Sequence, residues 1–582
     1  MEFKKLAEYL DRLERTSSRI EITKILAELF RKSDKGEIDK VVYLSLGELA
    51  PQYKGIVFNI AERMMAQAIA KAYGQKVEKV RDIYKKKGDL GDVVAALAAK
   101  SKIPASPAGR QNPKSKYLLV TDVYIKLLKI AQDEGEGSQD RKIIKTANLL
   151  SNLDLLSAKF VARIPIGNLR LGFSDKTVID ALSWMEKGDK SVKNELEKAY
   201  YVLPDVGLLA KNVKSYGVKK AVKKIKPVIG VPVLPMLAQR LKSPVEMIEK
   251  MGEVAIEPKF DGLRISLHYK SGKNGFVKAF TRNMNETSWM FPELKDIAKY
   301  LSAHEVILDS EAVGVDEVRQ GLANFQKTMT RRRKHEIQDK ALKIPIKFHV
   351  FDILIKDGKS LLSMPYIKRR KILAKTVKSG KILEVVDYLI TSDPKTIVKE
   401  MAREVKGGME GIIVKRADSE YVAGRTGWRW VKMKEAESKV SKLSDTLDCV
   451  VMGYTTGRGK RVSFGIGQFL VGIKDNDKFK TVTKVGTGLT DELFREMKKR
   501  LKMLEVNYQP KEFEVDKNLK PDFWVAPSLV VEIAADEITK SPKHTAGYAL
   551  RFPRLVRFRD DKNPDQATSL SEFKKLFEIQ KI

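Results

Sequence analysis

Residues Glu257 to Ile265 read EPKFDGLRI and bracket one lysine, Lys259, between a glutamate and an Asp-Gly pair. The apolar run before Lys259 predicts a strand, and Asp-Gly predicts a reversal of the chain. Side chains two apart on a strand share a face, so Glu257 and Lys259 are expected to point into one pocket, with Pro258 facing away. An ordinary strand and turn at the surface has the same pattern, so the surrounding sequence has to distinguish the two.

The length and composition of the chain limit its class. A chain of 582 residues is too long for one core, and about three or four domains are expected. Cys449 is the only cysteine and the five histidines lie far apart, which excludes disulfides and argues against zinc sites. A metal here is expected to be a hard cation bound by carboxylates.

The formal net charge is +35, which favours a polyanionic partner such as nucleic acid. A lysine-rich surface that only maintains solubility is the alternative. No apolar run reaches the roughly 18 to 20 residues of a membrane helix, and residues 1–26 read as two amphipathic helices rather than a signal peptide. The protein is therefore expected in the cytoplasm or nucleoid, without a membrane partner.

Three regions follow one another along the chain. Residues 1 to about 225 have a helical period, for example at 54–74, closed by Gly74, and at 174–189. A proline-rich connector, KPVIGVPVLPML (226–237), ends that pattern, and β-rich runs alternate with helices from about 240 to 436. From 440 to 582, short strands around one helix near 490–504 are typical of a small barrel of the OB type.

Two further stretches carry carboxylates into apolar surroundings. VILDSEAVGVD (306–316) places Asp309 and Glu311 on one face of a strand, and in GGMEGIIVKR (407–416) Glu410 precedes a strand that ends near Lys415. Two carboxylates that converge from separate strands would hold Mg²⁺ together with phosphate oxygens. Structural ion pairs are the alternative interpretation.

GWRWVKMK (427–434) places Trp428, Trp430, Lys432 and Lys434 on one face by the strand period of two. This face is expected either to contact phosphate or to form an edge strand guarded by lysines. The sequence contains no Walker-type loop, so a nucleotide would have to be held in another way.

The motifs occur in one order: K-x-D-G, TRN, LDSEAV, FDIL, EGIIVK and WVKMK. With this set, and with ALRFPRLVRFRDDKNPDQATS (549–569) and ARIPIGNLRLG (162–172), the chain resembles the ATP-dependent DNA ligases of the archaeal and eukaryotic replicative type, members of the lysyl-nucleotidyltransferase superfamily. The resemblance covers nearly the whole chain. A single motif would be weak evidence, whereas the ordered set is specific.

The resemblance implies an enzyme that seals 5′-phosphate/3′-hydroxyl nicks in duplex DNA during replication, repair and recombination. It implies a multidomain fold: an all-α DNA-binding domain (1–228), an α+β nucleotidyltransferase or adenylation domain (229–438) and a β-barrel OB-fold domain (439–582). The implied partners are ATP, Mg²⁺ with Mn²⁺ as the alternative, and nicked double-stranded DNA. A monomer is expected, and a sliding-clamp partner rests on the resemblance alone.

Roles for individual residues also follow from the resemblance. Lys259 matches the lysine that becomes a lysyl-adenylate. Arg425 stands beside Thr426, where the family usually has its arginine, and is assigned after a shift of one residue. The nucleotide-binding positions are Glu257, Arg264, Arg282, Glu311, Phe351, Arg425, Lys432 and Lys434; the metal carboxylates are Glu311 and Glu410; the barrel motif is Arg551, Arg554, Arg557, Asp561 and Lys562; the DNA-binding positions are Gly167, Arg170 and Gly172.

Several alternatives remain open at this level. RNA ligases and mRNA capping enzymes share K-x-D-G chemistry, but the long helical region and GNLRLG resemble a DNA-encircling domain. From its six residues, GNLRLG is equally compatible with a glycine-capped turn between helices. An NAD-dependent ligase would carry a cysteine cluster, which this chain lacks. A non-catalytic basic scaffold would not need buried carboxylates at Glu311 and Glu410.

Overall fold

The computed structural model of the chain describes residues 1–99, 118–167, 169, 171–241, 243–316, 321–322, 345–424, 427–434, 446–457 and 464–580. The chain divides into two compact units, Met1–Met433 and Lys434–Ile582, called here the N-terminal and C-terminal units. Within the described ranges, no helix is long and apolar enough to cross a membrane.

The first part of the N-terminal unit is helical. Its helices, in chain order, are α1 Phe3–Glu14, α2 Arg19–Lys32, α3 Ile38–Leu46, α4 Glu62–Ala72, α5 Val77–Lys87, α6 Leu90–Ala98, α7 Val120–Ala131, α8 Ser138–Ser151, α9 Leu155–Arg163, α10 Asp175–Lys187, α11 Lys193–Val202 and α12 Val206–Lys224. Their apolar faces form one continuous core. Gly217 has φ 69° and ψ 163°, which divides α12 into two segments.

Two helix expectations can be compared directly with these bounds. The helix expected from residue 54 begins only at Glu62, because Gly55 and Asn59 adopt positive φ. Gly74 follows its end, also with positive φ, as expected of a terminating glycine. Helix α10 begins after Ser174 and ends at Gly188, as predicted, although the Ser174 side chain caps no backbone N–H.

The second part of the N-terminal unit contains two sheets. Its elements are β1 Gln239–Arg240, α13 Pro244–Met251, β2 Val254–Lys259, β3 Leu263–Lys270, β4 Phe276–Thr281, β5 Glu305–Asp316, β6 Gly321–Leu322, β7 Ile346–Lys356, β8 Lys359–Ser360, α14 Tyr366–Thr376, β9 Leu383–Val385, β10 Leu389–Thr391, α15 Pro394–Lys406, β11 Gly411–Arg416 and β12 Trp430–Lys434, with 3-10 turns at Ser288–Met290 and Pro292–Tyr300. One sheet has the order β1-β12-β11-β2-β10, and the other has β4-β3-β5-β7-β8, with β6 on β5 and β9 on β7. The predicted strands therefore form two sheets that bring distant motifs together.

The C-terminal unit is rich in sheet. Its elements are β13 Leu447–Thr455, β14 Gln468–Asp475, β15 Lys478–Val485, α16 Asp491–Met503, β16 Glu505–Val506, β17 Phe513–Glu514, β18 Phe523–Val525, β19 Val530–Ala534, β20 Glu537–Lys540, β21 Tyr548–Arg551, β22 Arg554–Phe558 and α17 Leu570–Ile579. The main sheet runs β16-β18-β13-β14-β15-β17, with β19 pairing to β13 and β22, and β20 pairs with β21.

One expectation for the C-terminal unit, a single helix, was wrong. The apolar run 523–534 forms two strands, β18 and β19, and Pro527 lies in the gap between them, where it has no N–H to donate to a ladder. The unit also has a second helix, α17, besides the expected one. Its N-terminus is a capping box of Ser569 and Glu572, and Phe573 and Phe577 are buried.

Candidate active site

Residues from both sheets of the N-terminal unit line a cavity of about 110 Å³. Five of its lining residues were predicted from the sequence: Glu257, Lys259, Arg264, Glu311 and Phe351. The others are Ala238, Pro258, Phe260, Val386, Ile413, Lys415 and Trp430. Pro258 was expected to face away, but it also borders the cavity.

Lys259 is the last residue of β2, and the pairing of β2 with β11 places a carboxylate beside it. Lys259 lies opposite Gly411 in the antiparallel register. The backbone N–H of Glu410 donates to the Lys259 carbonyl oxygen at 3.0 Å, and the Lys259 Nζ contacts Glu410 Oε2. The ladder therefore fixes the position of the carboxylate next to the amine.

Gly262, in the turn after Lys259, lies against strand β5. A Cβ added there would be 2.6 Å from the Ala312 carbonyl oxygen and 2.9 Å from Glu311 Cγ. The φ of Gly262 is not positive, so the turn itself does not demand glycine. The requirement is close approach of the backbone to the strand that carries Glu311.

Glu311 is the second carboxylate near Lys259. Burial raises the pKa of Glu311 to about 7, while the charges of Lys259 and Arg264 act in the opposite direction. An oxygen ligand that is half protonated near neutral pH becomes fully ionised once a cation binds it. The donor set of Glu311 and Glu410 therefore fits a hard divalent ion that also binds phosphate oxygens. Among the residues that the structure describes, there is no group of three or more Asp, Glu, His or Cys side chains placed so that it could hold a metal ion.

Arg264 is held firmly by its neighbours. Its Nε and Nη2 donate to the two carboxylate oxygens of Asp309 at 2.9 and 2.6 Å, and its Nη1 donates to the Met236 carbonyl oxygen at 2.6 Å. The second Nη2 hydrogen reaches Tyr421 Oη at 3.4 Å. Burial opposes the charge of Arg264, but the Asp309 carboxylate outweighs it and keeps the pKa of Arg264 raised. Four of its five N–H groups are thus in use, and one Nη1 hydrogen remains for a ligand.

The other end of the cavity is aromatic and contains a buried ion pair. The rings of Phe351 and Trp430 meet edge to face, with centroids 5.9 Å apart. The ammonium of Lys415 lies 4.4 Å and 4.2 Å from those two ring centroids and 2.5 Å from Glu257 Oε2. Burial lowers the pKa of Lys415, and Glu257 opposes this shift.

Lys415 and Trp430 have no role in the sequence-derived assignment, although the signal for them was available. Ile413 and Lys415 lie two residues apart on β11 and therefore share a face, and Trp430 lies two residues before Lys432 on β12. The period of two was expected to place Trp428 on the same face as Trp430. Trp428 instead lies before the start of β12 and packs with the apolar cluster that contains Val431.

Three other nucleotide positions, Arg282, Lys432 and Lys434, are not among the described residues that line the cavity. Arg282 lines a small neighbouring recess that it shares with Arg264 and Asp309. Lys432 and Lys434 lie on β12, two and four residues after Trp430, and Lys432 is in register with Arg240 of β1. Arg425 and Thr426 lie outside the described residues.

The barrel-motif residues lie on or near β21 and β22 of the C-terminal unit and form ion pairs within that unit. Arg551 pairs with Glu537 at 2.6 Å, Arg554 with Asp536 at 2.8 Å, Arg557 with Glu532 at 2.6 Å, Asp561 with Arg559 at 2.6 Å and Lys562 with Asp448 at 2.6 Å. These cations are therefore held in place by carboxylates without being fully covered.

Gly167 and Gly172 flank the short connection between α9 and α10. Their φ values are 65° and 70°, and open space surrounds the position of a Cβ at either. Each glycine is thus required by its left-handed backbone rather than by a close contact inside the protein. Leu169 and Leu171 are buried, whereas Arg170 lies outside the described residues.

Lys259 thus lies at a strand end in contact with the Glu410 carboxylate, and it lines one cavity together with Glu311 and the aromatic rings of Phe351 and Trp430. Three family profiles match the chain: the DNA ligase N terminus over residues 2–183, the ATP dependent DNA ligase domain over 235–434 and the ATP dependent DNA ligase C terminal region over 463–562. The chain belongs to the ATP-dependent DNA ligase family, whose members seal nicks in DNA.

Curated relatives match over the full length. The chain is 38% identical over 595 residues to a probable DNA ligase of Dictyoglomus turgidum, which covers 100% of this chain and 98% of the relative. It is 38% identical over 597 residues to a DNA ligase of Pyrobaculum islandicum, with 100% and 99% covered. The solved structure named Pmar-Lig_PreS3 has a TM-score of 0.54 at 20% identity and covers 95% of this chain and 99% of its own. This likeness supports the overall multidomain fold.

Proposed function

We propose that Lys259 is the nucleophile that carries AMP in the ligation reaction. The nitrogen of Lys259 attacks the α-phosphorus of ATP, an N–P bond forms, and the bond from that phosphorus to the pyrophosphate oxygen breaks. AMP then passes from Lys259 to the 5′-phosphate of the nick, and the 3′-hydroxyl displaces AMP to form the phosphodiester. The observation that carries this proposal is the single cavity that collects Lys259, Glu257, Glu311 and Phe351.

The nucleotide is assigned to this cavity. Phe351 supplies a ring face for the base, and Glu257 at the same end reads the adenine. Arg264 contributes one contact through its remaining Nη1 hydrogen, and Arg282 contacts the ribose and phosphate from the neighbouring recess. Lys432 and Lys434 contact the α-phosphate, and Arg425 takes the place of the family arginine.

Glu311 and Glu410 would hold Mg²⁺, with Mn²⁺ as the alternative, and the ion supplies charge neutralisation of the phosphates when bound. The chain itself holds Lys259 between these two carboxylates. The ion pair of Lys259 with Glu410 keeps the amine at the cavity wall before the nucleotide arrives.

The C-terminal unit is proposed to be an OB-fold domain (439–582) whose charged motif orients the leaving pyrophosphate. Arg551, Arg554 and Arg557 offer guanidinium groups, and Asp561 and Lys562 complete the motif. Support comes from the carboxylate partners that hold each cation.

The helical region 1–228 is proposed to bind the duplex, and residues 229–438 to form the adenylation domain. Gly167 and Gly172 present the connection between α9 and α10, on which Arg170 would contact phosphate or the minor groove. The net charge of +35 favours contacts to the DNA backbone that do not depend on sequence. The enzyme is proposed to act as a monomer in the cell, and a sliding clamp is proposed as a partner on family resemblance alone.

The decisive experiment uses radiolabelled ATP or radiolabelled NAD with a nicked duplex. We expect ATP alone to label the protein and the nick to be sealed, with binding to the duplex falling steeply as salt increases. The proposal fails if the protein remains unlabelled after incubation with ATP and a divalent ion. It also fails if Lys259→Ala retains both the label and the sealing activity.

A further inference from the structure

Helix α14 packs behind the nucleotide cavity and begins with a tyrosine that no sequence motif identifies. Tyr366 is wholly buried and does not line the cavity. Its hydroxyl donates to Glu257 Oε1, and Glu257 does line the cavity. The two residues are 109 positions apart in the chain. Tyr366 therefore touches the proposed base-reading carboxylate without itself lining the cavity.

The second oxygen of Glu257 is held by Lys415. The Lys415 Nζ lies 2.5 Å from Glu257 Oε2, and it also donates to the Tyr366 hydroxyl oxygen at 3.4 Å. Arg370, one turn further along α14, places its Nε 3.9 Å from Glu257 Oε1. The carboxylate thus has a separate partner on each oxygen, and these partners are themselves connected.

This arrangement restricts what Glu257 can present to a ligand. A phenol carries one proton, and burial together with Glu257 raises the pKa of Tyr366 well above its usual value, so the hydroxyl remains a donor. The Tyr366 hydroxyl and the Lys415 amine occupy one acceptor position on each Glu257 oxygen, so the remaining lone pairs of the carboxylate would act as acceptors toward a ligand. Its free lone pairs would accept from the exocyclic amine of adenine, whereas hypoxanthine and guanine present a carbonyl oxygen at the same position.

We infer that Tyr366 is a positioning residue that sets the base selectivity of self-adenylation by fixing the orientation of the Glu257 carboxylate. This inference rests on the proposed role of Glu257 in reading the adenine. Without the hydroxyl, Oε1 loses its donor, and the carboxylate can rotate about the contact of Oε2 with Lys415. Selection for the amine then weakens while the chemistry at Lys259 is left in place.

The test compares ATP with inosine triphosphate, which replaces the amine by a carbonyl oxygen. Formation of the nucleotide adduct is followed by intact-mass spectrometry on full-length wild type and Tyr366→Phe over a range of nucleotide concentrations. We expect KM for ATP to rise about tenfold, since a hydrogen bond to a charged group is lost, with kcat changed less than about twofold. The constants for inosine triphosphate should change little, so the preference for ATP falls about tenfold.

Tyr73→Phe is the matched control, because it also removes a buried hydroxyl, but one that has no hydrogen-bond partner among the described residues. This variant should retain the wild-type preference. Should Tyr366→Phe fail to fold, Tyr366→Leu also lacks the hydroxyl and carries the same expectation. An equal loss with both nucleotides, or an unchanged preference in the folded variant, would overturn the inference.

A double-mutant cycle with Glu257→Gln separates this inference from the proposed function. If Tyr366 acts through Glu257, adding Tyr366→Phe to Glu257→Gln should produce no further change in preference. If Glu257→Gln alone leaves the preference for ATP intact, then the assignment of Glu257 as base reader fails, and the inference fails with it. If Glu257→Gln abolishes the preference but Tyr366→Phe does not alter it, only the inference fails.

Discussion

Asp309→Asn should destabilise the N-terminal unit because it leaves the guanidinium of Arg264 buried without a counterion. The side chains of Arg264 and Asp309 are only 17% and 4% exposed, and they form two parallel hydrogen bonds. Removal of one partner from a buried pair costs about 3–5 kcal/mol. Asparagine retains one oxygen that can accept from Arg264, so we expect a value near ~3 kcal/mol.

The measurement is differential scanning calorimetry of the full chain. The N-terminal unit spans Met1–Met433. At about 2.1 cal/mol/K per residue its unfolding entropy is about 0.9 kcal/mol/K, so a loss of ~3 kcal/mol should lower its transition by about 3 °C. The transition of the C-terminal unit is the internal reference, because that unit contains no substituted residue. Self-adenylation should also decline, since Arg264 would no longer be held at the cavity wall.

Two further variants complete this experiment. Asp296→Asn removes the carboxylate from an exposed pair with Lys299 and should leave the melting temperature close to that of the wild type. Adding Arg264→Met to Asp309→Asn removes the uncompensated cation and should recover part of the lost stability. A shift in Asp309→Asn no larger than that in Asp296→Asn, or no recovery in the double variant, would refute the electrostatic explanation.

Three other predictions follow from the site. Lys259→Arg keeps a positive charge beside Glu410 but cannot act as a nucleophile, so intact-mass spectrometry should find no AMP adduct while affinity for nicked DNA is retained; an adduct in this variant would place the nucleophile elsewhere. Burial raises the pKa of Glu311 in the folded chain to about 7, so between about pH 4.5 and 7 the folded chain binds a proton that the unfolded chain has released. Glu311 therefore lowers the stability of the folded chain as the pH rises through this range. Self-adenylation should increase over pH 6 to 8 as Glu311 ionises, and Glu311→Gln should lower the rate and remove that increase; the same pH profile in the variant would contradict this assignment. Arg557→Ala should slow self-adenylation by about tenfold or more and spare the sealing of a nick that already carries AMP; normal charging with AMP would contradict the role of Arg557 toward pyrophosphate.

Local patterns in the sequence were sufficient to predict much of the fold. Short β-rich runs located β2, β3, β5 and β7, and the first four residues of β2 and most of β7 are buried on both faces. Helix α17 was not predicted, although Ser569 and Glu572 form a capping box at its start. The late start of α4 depends on the backbone of Asn59, a non-glycine residue with positive φ that no periodicity indicates.

The candidate site was less predictable because its contacts join distant parts of the chain. Strand order brings β11 beside β2, so Glu410 meets Lys259 across 151 positions. Asp309 was expected to share a strand face with Glu311, and only the pairing of β3 with β5 reveals that its partner is Arg264. Tyr366 lies on a helix outside the ordered motifs of the sequence, and no local sequence pattern indicates that it contacts Glu257.

The close backbone contact at Gly262 also limits how the turn after Lys259 can move. Conformational changes in enzymes often occur as hinge movements of whole segments. The turn after Lys259 and the strand that carries Glu311 are in contact with no room for even one methyl group between them. We therefore expect the backbone of this turn and the strand that carries Glu311 to move together, so that the points from which the amine and the carboxylate extend keep a fixed separation.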